Sequence, residues 1–229
     1  MIEYLFLDLD DTILDFHKAE ALALTKTLRD LGLEPARNML ERYKQINIDH
    51  WKMLERGEIT REQVKLGRFE QLFRELGVKR DPAQTTALYE KYLAVGHFFL
   101  PGAEEAVASL SEKYRLFLAS NGTASVQAGR LTSANLYRFF EQVFVSQEIG
   151  HNKPSKDFFD VCFSRIPGFD RTRAMIVGDS LTSDIQGGRN AGILTCWVNP
   201  KHAPRDPAIP ADFEIENLSC LQTLLETLT

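Results

Sequence analysis

A chain of 229 residues is longer than one average domain and shorter than two, so one domain carrying an insertion is the expected organisation. With 44% hydrophobic residues, 26% charged residues and a net charge of −5, it has the composition of a folded protein with a large core. The acidic balance argues against a nucleic-acid polymer as partner, which would call for clustered Lys and Arg. No apolar run approaches the ~20 residues that span a bilayer, no signal peptide is legible after Met1, and Cys162, Cys196 and Cys220 are isolated and odd in number. The expectation is a cytoplasmic monomer with reduced thiols and no membrane partner.

The first element is an apolar run at residues 2–7 that ends in the carboxylates Asp8, Asp10 and Asp11. Each ionised carboxylate there raises the cost of the next, so something must compensate. From 17 to 96 four segments carry helical spacing with no strand between them: KAEALALTKTLRDLGL, ARNMLERYKQINIDHWKMLERG, TREQVKLGRFEQLFRELG and DPAQTTALYEKYLAVG. Thr60 with Gln63 reads as a capping box, and Asp81 before Pro82 as an N-cap with proline at the first helical position. From residue 100 onward, strand-like runs at 116–119, 143–145, 175–177 and 194–198 alternate with helical patterns, and NPKHAPRDPAIPAD reads as a surface loop.

Alternation of this kind predicts a doubly wound α/β fold with a Rossmann-like parallel sheet. The expected core is 1–15 with 97–229, and a helical cap at 16–96 is inserted after the first strand, placed to act as a lid.

In a parallel sheet the carboxyl ends of the strands share one edge, where ligands bind. That edge is expected to collect Asp8 and Asp10 after the first run, Ser120, Asn121 and Gly122 after the second, Lys153 before Pro154 after the third, and Asp179 after the fourth, with Asp184 close behind. Hard divalent cations such as Mg²⁺ prefer oxygen ligands, so Asp8 and Asp179 are the candidate metal carboxylates. Lys153 would offset Asp8 and meet phosphoryl oxygens, and Ser120 with the backbone N–H groups after it would bind the others. Singly, each motif is a commonplace turn or cap; in this order, each after a strand, they form a set.

That set, DLDDT at 8–12, Ser120-Asn121, Lys153-Pro154 and GDSLTSD at 178–184, resembles the four motifs of the phosphatase branch of the haloacid dehalogenase superfamily. NGTASVQAGRL, GDSLTSDIQGG, CWVNP and HWKMLERGEITREQ resemble its bacterial pyrimidine 5′-nucleotidases. The resemblance implies an Mg²⁺-dependent phosphatase in which Asp8 attacks phosphorus. Asp10 protonates the leaving alkoxide and then activates water, while its backbone carbonyl joins Asp8 and Asp179 on the metal. It also implies that Asp184 supports the metal or Lys153 from behind and that Thr12 fixes the loop.

The implied substrate is a small phosphorylated metabolite, a pyrimidine nucleoside 5′-monophosphate, with Phe16, His17, Trp51, Arg68 and Phe69 as candidate contacts to the base. Asp10 argues against a dehalogenase, which has no alkoxide to protonate. A phosphatase for a sugar phosphate or phosphoglycolate, a phosphomutase and an inert binding module are the alternatives. No Gly-x-Ser-x-Gly is present, and the glycines of GGRNAG at 187–192 read as a helix closed by Gly192.

Overall fold

The computed structural model describes residues 1–228, which form two compact units: Met1–Phe16 with the chain from His97 onward, and His17–Gly96. Among the described residues no helix is long and apolar enough to cross a membrane.

The five expected runs of the first unit are strands: β1 (Tyr4–Leu7), β2 (Arg115–Ser120), β3 (Gln142–Val145), β4 (Ala174–Gly178) and β5 (Leu194–Val198). A further strand, β6 (Phe213–Ile215), follows the proline-rich loop at one edge. All pairings are parallel, in the order β3-β2-β1-β4-β5-β6. β1 is therefore central, with Leu7 level with Leu118 of β2 and Val177 of β4, and the chain order reverses beside it. The ends of these three strands meet where an open α/β sheet forms its ligand crevice.

The second unit consists of α1 (Phe16–Asp30, whose first residue belongs to the first unit), α2 (Arg37–Glu55), α3 (Arg61–Leu76) and α4 (Pro82–Leu93). Both start signals are used. Gln63 N–H donates to Thr60 Oγ1 at 3.2 Å while Thr60 N–H donates to Gln63 Oε1 at 2.8 Å, and Asp81 Oδ1 accepts from Ala83 N–H at 2.9 Å. Such caps contribute about 1 kcal/mol each.

The interior of this unit is aromatic, with the Tyr43, Phe69 and Tyr89 rings 5.1–5.7 Å apart. That corrects two of the expected base contacts. Phe69 is fully buried, and Arg68 is buried with its guanidinium 4.8 Å from the Tyr89 ring centre and its Nη1 donating to Asn47 Oδ1 at 3.0 Å. Asn47 in turn donates to Glu20 Oε1 at 2.7 Å, so Arg68 belongs to a buried polar network that ties α1, α2 and α3 together.

In the first unit side chains alternate between the two faces of the sheet, as the strand period requires. Leu5, Leu7, Leu116, Leu118, Met175 and Val177 pack on one side with α5 (Ala103–Ser111), α6 (Ala124–Ser133) and the last helix. Tyr4, Phe6, Phe117, Phe144 and Ile176 pack on the other with α7 (Ser146–Ile149), α8 (Lys156–Ser164) and α9 (Gln186–Ala191). The last helix, α10 (Leu221–Glu226), buries Leu221 and Leu225. Each such side chain stabilises the fold by roughly 1.5–3 kcal/mol. Gly192 closes α9 at φ 69°, as expected, and the turn before it, Leu181–Ile185, is π-helical. The two chain crossings into and out of the helical unit run side by side, Asp15 N–H donating to Phe98 O at 2.7 Å and Leu100 N–H to Ile13 O at 3.0 Å.

Candidate active site

Asp8 is the first residue past β1 and stays in register with the sheet, its N–H donating to Val177 O at 3.0 Å. The chain then turns tightly, Ile13 and Leu14 both donating to Leu9 O at 3.0 and 2.9 Å. Asp11 sits in this turn at φ 57°, a conformation that short polar side chains tolerate, and its Oδ1 accepts from Phe16 N–H at 2.9 Å at the start of α1. It therefore caps the start of α1. Thr12 is buried, and its hydroxyl makes no hydrogen bond among the described residues, so packing fixes it in the loop.

Lys153 is the charge that answers Asp8. Its ammonium is 1% exposed and donates to Asp8 Oδ1 at 2.7 Å, Asp184 Oδ1 at 2.6 Å and Ala119 O at 2.5 Å. An ammonium has three hydrogens, so all are spent inside the protein. In this geometry Lys153 orients and offsets Asp8 and does not reach out to a ligand oxygen, a departure from the expected phosphoryl contact.

Burial would pull the Lys153 pKa down, but Asp184 and Asp8 beside it raise it above the ordinary lysine value. Burial pushes the Asp8 carboxyl up to about 8, with the Lys153 charge opposing and Asp184 and Asp10 adding to the rise. Asp179 is also raised well above the usual carboxylate value, first by burial and then by Asp8 and Asp184.

Asn121 is turned inward. Its Nδ2 donates to Lys153 O at 2.8 Å and to Ser183 Oγ at 3.1 Å, and its Oδ1 accepts from Lys153 N–H at 2.8 Å. The side chain thus fastens the backbone of Lys153 to the end of β2. Ser120 is buried at the same strand end, its Oγ accepting from Gly122 N–H at 3.1 Å and from Gln127 Nε2 at 2.7 Å.

Asp184 is set in the π-helical turn after β4, where its Oδ2 accepts from Ser180 N–H at 3.1 Å while Oδ1 holds Lys153. This approach requires glycine at 178, because a Cβ there would lie 2.2–2.7 Å from the Asp184 side chain. Gly178→Ala is expected to displace Asp184 from Lys153 and destabilise the protein by about 1–3 kcal/mol. A denaturation midpoint equal to that of the wild type would contradict this.

Asp8, Asp179 and Asp184 each place a carboxylate oxygen within 4.8 Å of the others. Among the described residues the half-buried Asp179 carboxylate takes no hydrogen bond, although its backbone carbonyl accepts from Trp197 Nε1 at 2.8 Å. Three carboxylates face one ammonium, leaving an excess of negative charge and an unpartnered oxygen pair in a buried spot. An all-oxygen donor set with that deficit fits a hard divalent cation.

The environment of Asp10 is the part that sequence reasoning missed. Arg130 Nη1 pairs with Asp10 Oδ1, and Gln127 Nε2 donates to Asp10 Oδ2 at 2.7 Å. Both partners lie on α6 and are buried. Their i, i+3 spacing puts them on one face beside the inward-facing Val126 and Leu131, but polar residues on the other faces of α6 mask it.

A central parallel strand ending in a lysine-paired carboxylate, with a second carboxylate two residues on and a third and fourth after the neighbouring strand, is an aspartate-centred site in the crevice of a doubly wound parallel sheet. The chain belongs to the haloacid dehalogenase-like hydrolases, whose family model matches residues 4–198. It is 40% identical to the HAD-hydrolase YfnB of Bacillus subtilis (strain 168) over 96% of this chain and 94% of that one. The crystal structure of YfnB bound to magnesium, which reveals interdomain movement, superposes with a TM-score of 0.94 over 98% of both chains at 39% identity. The chain is also 36% identical to pyrimidine 5′-nucleotidase PynA of Streptococcus pneumoniae (strain ATCC BAA-255 / R6), over 99% of this chain and 98% of PynA. Identity to pyrimidine 5′-nucleotidase YjjG of Escherichia coli (strain K12) is 29%, over 97% of each.

Proposed function

We propose that the protein is an Mg²⁺-dependent phosphatase of small phosphate monoesters, with pyrimidine nucleoside 5′-monophosphates as its substrate class. The observation that carries the phosphatase reading is the pair formed by Asp8, buried and oriented by Lys153, and Asp10, held two residues further on with part of its carboxylate exposed. A nucleophile followed by an acid/base group is what transfer of a phosphoryl group to the protein and then to water demands. PynA and YjjG, which bear the name pyrimidine 5′-nucleotidase, support the substrate class.

In the first step an Asp8 oxygen attacks phosphorus as the ester P–O bond breaks, and Asp10 gives its proton to the departing oxygen. In the second, water loses a proton to Asp10 and attacks phosphorus. The bond from phosphorus to Asp8 then breaks, which releases inorganic phosphate and restores the Asp8 carboxylate and the protonated Asp10. Lys153 keeps Asp8 aimed and partly neutralised, and the Ser120 hydroxyl, with both lone pairs engaged, has only its hydrogen left to offer a phosphoryl oxygen. Asp8, Asp179 and the Asp10 carbonyl would hold Mg²⁺, with Asp184 supporting Lys153 from behind; the ion supplies Lewis-acid stabilisation of the phosphoryl charge. The helical unit His17–Gly96 is inserted directly after the Asp8 loop; the YfnB crystal structure reveals interdomain movement.

The test is phosphate release from pyrimidine monophosphates, purine monophosphates, sugar phosphates and phosphoglycolate at one Mg²⁺ concentration. The expected result is the highest kcat/KM for uridine, deoxyuridine or thymidine monophosphate, loss of activity in chelator and recovery with Mg²⁺. A preference for a sugar phosphate would overturn the substrate class, and full activity after chelation would overturn the metal.

A further inference from the structure

We propose that Gln127 and Arg130 are positioning residues for Asp10, gripping its two carboxylate oxygens from α6, and that Gln127 sets the Ser120 hydroxyl in the same act. The proposal rests on Asp10 being the acid and base of the reaction above.

The first ground is the cost of the arrangement. Arg130 is 0% exposed, and a buried guanidinium carries a desolvation penalty of several kcal/mol that apolar residues of similar volume would avoid. The side chains packed on that side of the sheet are apolar, and a Leu or Met at 130 would extend them. The charge lies where it meets Asp10, whose side chain keeps 29% exposure.

The second ground is how completely the hydrogen bonds of Gln127 are committed. Its Nε2 has two hydrogens and two acceptors, Asp10 Oδ2 and Ser120 Oγ, each at 2.7 Å, and its Oε1 accepts from Arg130 Nη1 at 3.3 Å. Turning the amide over would set its oxygen against the Asp10 carboxylate and its NH₂ against the guanidinium, so the network itself fixes the orientation. Packing reinforces it, since a Cβ on Gly122 would lie 2.4–2.7 Å from the Gln127 side chain.

A carboxylate offers about four lone-pair sites, and this grip uses two, leaving the others for the leaving oxygen or the attacking water. A displacement of ~1 Å at such a group costs on the order of 10²-fold in rate. A loss of aim at Asp10 must show most where its proton is needed most, on an alkoxide, and least on a phenolate that departs unprotonated.

The experiment measures leaving-group release in a single turnover, with enzyme in excess and Mg²⁺ present, so that the later attack of water does not intrude. Uridine 5′-monophosphate is compared with 2,4-dinitrophenyl phosphate for wild type, Asp10→Asn, Gln127→Met, Arg130→Met and Arg130→Lys. The expected result is that Asp10→Asn, Gln127→Met and Arg130→Met each lose at least tenfold more on the nucleotide than on the aryl ester, and that Arg130→Lys recovers part of the difference. Equal losses on both substrates for Gln127→Met and Arg130→Met, with the split present in Asp10→Asn, would overturn the positioning role and leave the role of Asp10 standing. Absence of the split in Asp10→Asn would overturn that role and this proposal together. Should Arg130→Met fail to fold by circular dichroism, the neutral and nearly isosteric Gln127→Met decides the matter alone.

Discussion

Asp8→Asn gives a folded protein whose phosphate release falls on the order of 10⁴-fold or more, removal of a hydrolase nucleophile costing up to about 10⁶. An amide is a poor nucleophile, and the Asp8 oxygen is the one that Lys153 aims. The same substitution carries a signature in stability. Burial raises the folded-state pKa of Asp8 from 3.8 to about 8, so between those values the folded protein binds a proton that the unfolded chain has released. The stability this contributes is fully present below about pH 4 and is lost as pH rises towards 8. In chelator, the difference in melting temperature between wild type and Asp8→Asn therefore widens in favour of the variant over that window. A variant that retains turnover, or a difference that does not change with pH, would contradict the account of this residue.

Lys153→Met is the second large effect, and it acts on both fold and rate. Removing the ammonium leaves Asp8 and Asp184 buried without their counter-charge, and breaking a buried pair in this way costs about 3–5 kcal/mol. In a protein of this size that is on the order of 10 °C in melting temperature. The folded fraction is expected to lose on the order of 10² in kcat, the cost of letting a reacting group such as Asp8 drift by ~1 Å. Because all three hydrogens of Lys153 are spent on Asp8, Asp184 and Ala119, the loss falls on kcat, with KM little changed. A melting temperature and kcat both equal to those of the wild type would reduce Lys153 to a filler of the loop.

Much of this site was legible because the chemistry lies at strand ends. A buried parallel strand reads as a short continuous apolar run, and the residue that breaks the run is the one the sheet delivers to its edge; Asp8, Ser120 and Asp179 are all found this way. β6 escaped because Phe213–Ile215 is three residues long, lies at an edge and mixes a charge into its run. Gln127 and Arg130 escaped for a different reason. Along ASVQAGRLTS polar residues occur on every face, so the periodicity that locates α6 does not show that its inner face carries an arginine. Arg68 and Phe69 show the converse, a charged and an aromatic residue with the look of ligand contacts that fold chemistry consumes within α3 and its neighbours. Lys153 was found by its motif, but its commitment to three internal acceptors depends on distances between four separate segments, which spacing along the chain does not encode.

The phosphoryl group is expected to pass through Asp8. The most direct measurement of that passage is a rapid acid quench of excess protein mixed with ³²P-labelled uridine 5′-monophosphate and Mg²⁺, followed by digestion at acid pH, where an acyl phosphate survives, and mapping of the labelled peptide. Label is expected on the peptide containing Asp8, rising and decaying as inorganic phosphate appears, and none in Asp8→Asn. Label on a peptide without Asp8, or an undiminished yield of labelled protein from Asp8→Asn, would contradict it.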